Sequence, residues 1–64
     1  MPQQRYHLVL LLDGQPTMHG WWADETVARR KFTAWVGAYG QAGAHVTLTD
    51  EETGARLTEW PDPG

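Results

Sequence analysis

From Tyr6 to Leu12 the chain reads as an apolar, strand-like run, and Asp13-Gly14 follows at once. That dipeptide suits the two positive φ angles of a tight type I′ turn, so a hairpin is predicted with Gln15 to Trp22 as the returning strand. A strict two-residue turn sets Leu12 opposite Gln15, Leu10 opposite Thr17, Leu8 opposite His19 and Tyr6 opposite Trp21 on one face. Val9 then meets Met18, and His7 meets Gly20, on the other. Pro16 falls opposite Leu11 in a pair that exchanges no hydrogen bonds. Its missing N–H points away from the first strand, and because proline within a sheet is confined to edges, the second strand is predicted at an edge with the first inside.

The period changes after Trp22. Asp24 is suited to an N-cap and Glu25 to the positive end of a helix dipole, while Ala28, Phe32, Trp35, Val36 and Tyr39 recur at helical spacing. A helix over about Glu25 to Ala38 is expected, with those five residues beneath it and Gly40 as its C-cap. Arg30, Thr33 and Gly37 form its polar back, flanked by Arg29 and Lys31.

Alternation returns at His45 to Thr49 and Ala55 to Trp60, joined by Asp50-Glu51-Glu52-Thr53-Gly54, whose glycine can take a left-handed conformation. Pairing Leu48 with Leu57 and pairing Val46 with Trp60 belong to different loop lengths, and a one-residue slip flips the face. The sequence leaves both registers open. Pro61 and Pro63 end the strand, and Asp62 to Gly64 are expected to fray.

These elements make a ββαββ chain of the α+β class: a four-stranded antiparallel sheet in the order 2-1-3-4 with one helix packed on one face. A single domain spans 1–64, its ordered part about 5–60. One helix of about 14 residues, some 21 Å long, cannot screen both sides of such a sheet. In the strict register neither face looks built for water, since one carries Tyr6, Leu8, Leu10 and Trp21, and the other Val9, Leu11, Met18 and Trp22.

Composition sharpens that point. Sixty-four residues include four tryptophans and no serine, cysteine or asparagine. Each tryptophan offers roughly 150–250 Å² for burial, and a lone core of this size supplies only about 3–5 kcal/mol. Disulfides and thiolate zinc sites are excluded, which leaves self-association as the remaining supplement. Exposed apolar patches of several hundred Å² mark interaction sites, so Tyr6, Trp21, Trp22 and Trp60 are the candidate interface of a homodimer or of a heterologous protein complex.

Eight acids against five bases give a net charge of −3, the reverse of the strongly basic balance of nucleic-acid binders. Arg29, Arg30 and Lys31, with Arg56 on a strand, are candidate phosphate contacts for the alternative reading of a nucleic-acid-binding accessory or regulator, in which sheet aromatics stack on unpaired bases. Over Tyr6 to Val36, a small sheet followed by a helix with an acidic, Thr-containing first turn resembles, in element order, the arm-binding domains of tyrosine recombinases. Their basic strand residues are lacking, and no binding residue carries over.

Enzymatic chemistry has little support. Without Ser or Cys the commonest nucleophiles are gone, and no glycine loop opens a helix to cradle phosphate. A short chain does not enclose a pocket of about 300–1,000 Å³ by itself, though a dimer interface can, which keeps small-ligand binding as a further alternative. His7 and His19 fall on opposite faces in the strict register and His45 at a strand start, so no metal and no cofactor are expected. Asp50, Glu51 and Glu52 read as a solubilising turn, too short for an EF-hand. The longest apolar run, Leu8 to Leu12, is far below the roughly 20 residues of a membrane span, and with no basic, apolar leader after Met1 the expected setting is the cytoplasm, away from membranes.

Overall fold

The alternating, helical and again alternating pattern folds into one antiparallel sheet with a helix against it. In the computed structural model, which describes residues 4–61, β1 (Tyr6–Leu12) and β2 (Gln15–Trp22) precede α1 (Glu25–Tyr39), and β3 (Ala44–Asp50) and β4 (Ala55–Trp60) follow it. The sheet runs β2-β1-β3-β4, antiparallel throughout. β2, which carries Pro16, is an edge, as the missing donor of proline requires. The expected fraying of Asp62 to Gly64 lies outside the described residues.

Asp13 and Gly14 have φ of 51° and 81°, positive at both positions as a type I′ turn demands. Leu12 pairs with Gln15 and Leu11 with Pro16, but Leu10 then faces Met18, leaving Thr17 as an extra residue. Its hydroxyl donates to the Gln15 carbonyl at 3.0 Å. This bulge corrects the strict register. Beyond it Val9 faces His19, Leu8 faces Gly20, His7 faces Trp21 and Tyr6 faces Trp22, so one inserted residue turns every following side chain of β2 to the other face. The physical reason is hydrophobic: the bulge turns Met18 and Trp22 toward the helix and His19 away from it.

A second bulge settles the other hairpin. Val46 pairs with Trp60, Thr47 with Glu59 and Leu48 with Thr58, after which Thr49 faces Arg56, so Leu57 is the extra residue. Trp60 therefore joins the helix side, and Leu57 also packs against the core. Gly54 turns the chain at φ 77°, its N–H donating to the Asp50 carbonyl at 2.7 Å.

The helix starts as its cap predicts. Asp24 Oδ1 accepts from the backbone N–H groups of Thr26 at 2.7 Å and Val27 at 3.2 Å. It ends at Gly40, whose N–H donates to the Val36 carbonyl at 2.9 Å. Ala28, the buried residue of the helix, is fully enclosed in the core with Tyr6, Leu8, Leu10, Ala44, Val46 and Leu48. Phe32, Trp35 and Val36 pack around them. Tyr39, expected beneath the helix, is instead exposed. It occupies the final helical residue and meets Trp35 only edge-on, with ring centres 6.5 Å apart.

Asp50 departs from the expected solubilising turn. It is 6% exposed, and its carboxylate accepts from Arg5 Nε at 2.9 Å, Arg5 Nη2 at 2.6 Å and the Glu52 N–H at 3.0 Å. Arg5 also reaches Glu52 at 3.2 Å, and its carbonyl accepts from the Glu51 N–H at 2.8 Å. The approach to β1 is thus clamped to the end of β3. Hydrogen bonds from Arg5 hold the Asp50 carboxyl below its ordinary range, against the opposing effect of desolvation. A folded-state value below the unfolded one means that the stabilisation is complete above the ordinary aspartate value of about 3.9 and is lost as pH falls below it. Arg5→Met should therefore melt below the wild type at pH 6 and lose less stability than the wild type on acidification below about pH 4. Parallel pH–melting curves for the two proteins would refute the clamp.

Candidate functional site

Because α1 lies on one side only, the opposite sheet face is built from strand residues alone. The pairings place Trp21, His7, Thr49 and Arg56 in one row across the four strands, and His19, Val9, Thr47 and Glu59 in the next. The β3–β4 half of this face is polar, with threonines and an ion pair between Arg56 and Glu59 at 2.6 Å. The β1–β2 half is aromatic and apolar. Two apolar faces were expected. The first bulge prevents this by sending Met18 and Trp22 to the helix side.

Trp21 lies flat on His7, with ring centres 3.7 Å apart and planes within 2°. His7 Nε2 stands 2.9 Å from His19 Nδ1, either nitrogen donating according to the tautomer. The two imidazole centres are 5.1 Å apart with planes within 10°. So wide a separation of centres at so short a nitrogen contact sets the rings side by side in nearly one plane. On its other edge, His7 Nδ1 is 3.5 Å from Glu51 Oε2. The bulge in β2 makes this cluster, because it brings His7 and His19 to the same face.

Of the four proposed interface aromatics, Trp21 alone occupies the open face, where it is 43% exposed. Tyr6 is buried in the core, and Trp22 and Trp60 are half-buried against it. Trp22 also meets Trp35 edge-on at 6.2 Å. These three lie on the helix side, so the four aromatics do not form one surface. The reason is the same register change for Trp22, and the pairing of Trp60 with Val46.

The candidate phosphate contacts are also dispersed. Arg29, Arg30 and Lys31 are exposed on α1, with Arg29 paired to Glu25 at 2.7 Å. Arg56 projects from the far side of the sheet, where Glu59 holds it. No single basic surface gathers the four.

His7, His19 and Glu51 are the cluster that sequence reasoning missed. A signal was present: within β2, Met18, Gly20 and Trp22 alternate with Thr17, His19 and Trp21, and the first set is the better match for the face that carries Leu8 and Leu10. Among the described residues no group of three or more His, Asp or Glu side chains is placed to hold a metal, and no helix is long and apolar enough to cross a membrane. Compared with known protein families, curated proteins and solved structures, the chain has no match.

Proposed function

We propose that this chain is a small, non-enzymatic, cytoplasmic protein-interaction module that self-associates through the open face of its sheet, with Trp21 at the centre of the contact. The observation that carries this reading is a tryptophan 43% exposed on the face no helix covers, a face that also carries the half-buried Val9 and Leu11. Tryptophan is among the residues most enriched at energetic hot spots, and its flat packing on His7 fixes the ring before any partner arrives. A two-fold contact would set one Trp21 surface against its copy and add to a core that supplies about 3–5 kcal/mol alone. Tyr6, Trp22 and Trp60 then serve the fold and not the contact.

Sedimentation equilibrium of the wild type and of Trp21→Glu tests this. A wild-type dimer is expected, with dissociation strengthened by at least about 30-fold in the variant, the equivalent of a hot spot of about 2 kcal/mol. A wild type that stays monomeric at every concentration, or a dimer indifferent to Trp21→Glu, would refute self-association through this face.

A further inference from the structure

On the open face the imidazoles of His7 and His19 bring two ring nitrogens within 2.9 Å of each other. We propose that His7 and His19 bind a divalent transition ion of the zinc or nickel class, with His7 Nε2 and His19 Nδ1 as ligands and Glu51 orienting the His7 ring. Imidazole nitrogens sit about 2.0–2.1 Å from such ions, so two of them are separated by about 3 Å at the roughly 90° angle of a square-planar or octahedral nickel ion and by about 3.4 Å at the tetrahedral angle of zinc. His7 Nε2 and His19 Nδ1 are already 2.9 Å apart. In the hydrogen-bonded arrangement the two nitrogens point at one another, so metal binding breaks that hydrogen bond and turns both rings off the line that joins them, toward a common point.

The outer contact supports the same assignment. Histidines that ligate metals almost always present their other ring nitrogen to a carboxylate, a carbonyl or water, which fixes the tautomer. Glu51 Oε2 stands 3.5 Å from His7 Nδ1, which favours the proton there and leaves Nε2 as the donor to the ion. In that state His19 Nδ1–H donates to His7 Nε2. Metal entry requires His19 to carry its proton on Nε2 instead, an exchange through solvent that the exposure of His19 permits. The net proton count is unchanged. Trp21 lies flat against one face of His7, with ring centres 3.7 Å apart, and leaves the Nε2 edge of the ring uncovered by that contact. Two protein ligands leave the remaining positions to water or to a donor from another molecule.

Titration calorimetry of the full chain with ZnCl₂ and with NiCl₂ tests the site, with MgCl₂ as the hard-ion control. One Zn²⁺ or Ni²⁺ per chain is expected, with no Mg²⁺ uptake, since imidazole suits zinc and nickel and not magnesium. His19→Ala should weaken binding at least tenfold, and Glu51→Gln by about 10-fold or more, as loss of an orienting carboxylate does. His45→Ala, which removes an exposed histidine of β3, should leave binding unchanged. His19 is exposed, so its replacement is expected to preserve the far-ultraviolet circular dichroism. Absence of saturable Zn²⁺ and Ni²⁺ uptake, or uptake equally affected by His45→Ala and His19→Ala, overturns the proposal.

Discussion

Shortening Leu8 to alanine is expected to leave a large fraction of the protein unfolded at room temperature. Leu8 has no exposed surface and sits in the interior strand β1, between Gly20 on β2 and Leu48 on β3. Leucine-to-alanine changes at such positions cost about 2–5 kcal/mol, the larger values arising where neighbours cannot move into the space. Collapse is restricted here, because Leu48 is fully buried in its own place and the Gly20 side is covered by the rigid indole of Trp22. The loss is therefore comparable with the entire stability of about 3–5 kcal/mol that a single core of this size provides. Leu11→Ala is the informative contrast: Leu11 lies on the same strand but on the open face and is only half-buried, so its loss should be smaller. Urea unfolding of both variants measures the difference. Equal midpoints would show that the core is not confined to the helix side of β1.

The contrast between Leu8 and Leu11 rests on which face each residue occupies, and this was only partly legible in the sequence. Element identity follows from local signals: Asp13-Gly14 defines its turn, Asp24 caps its helix, and Pro16 places β2 at the edge, which with the short connections fixes the order β2-β1-β3-β4. A bulge has no comparably specific residue requirement. It arises where the register imposed by a turn conflicts with the register that buries the most apolar surface. In β2 the turn alone would set Trp21 against Tyr6, whereas burial sets Trp22 there. In β4 one extra residue lets Trp60 reach Val46 while Arg56 and Glu59 both remain on the open face. The candidate site depended on the first conflict, because His7 and His19 share a face only in the bulged register. The clamp between Arg5 and Asp50 was hidden for another reason: 45 residues separate its partners, and no local pattern reports such a pair.

Adding a single methyl group at Gly20 is expected to displace Trp22 and to cost about 1–3 kcal/mol, as overpacking of a filled core does. Gly20 faces Leu8 across the hairpin, and the indole of Trp22, two residues along on the same face, folds back over it. A Cβ built at Gly20 meets Cη2 of that ring and lies 2.7 Å from Cζ3. The ring is rigid and held edge-on by Trp35, so it has to swing outward as a unit, giving up its contact with the core. This accounts for a glycine in the interior of a strand, where it otherwise weakens pairing. The missing side chain is supplied by its neighbour. The double-mutant cycle makes the argument testable: Gly20→Ala should destabilise the wild type but be nearly neutral or stabilising in a Trp22→Ala background, where the space is free. That difference is a coupling energy, and residues in direct contact typically show about 0.5–3 kcal/mol. Additive losses would mean that Gly20 is required by the backbone near the β2 bulge and not by the ring that covers it.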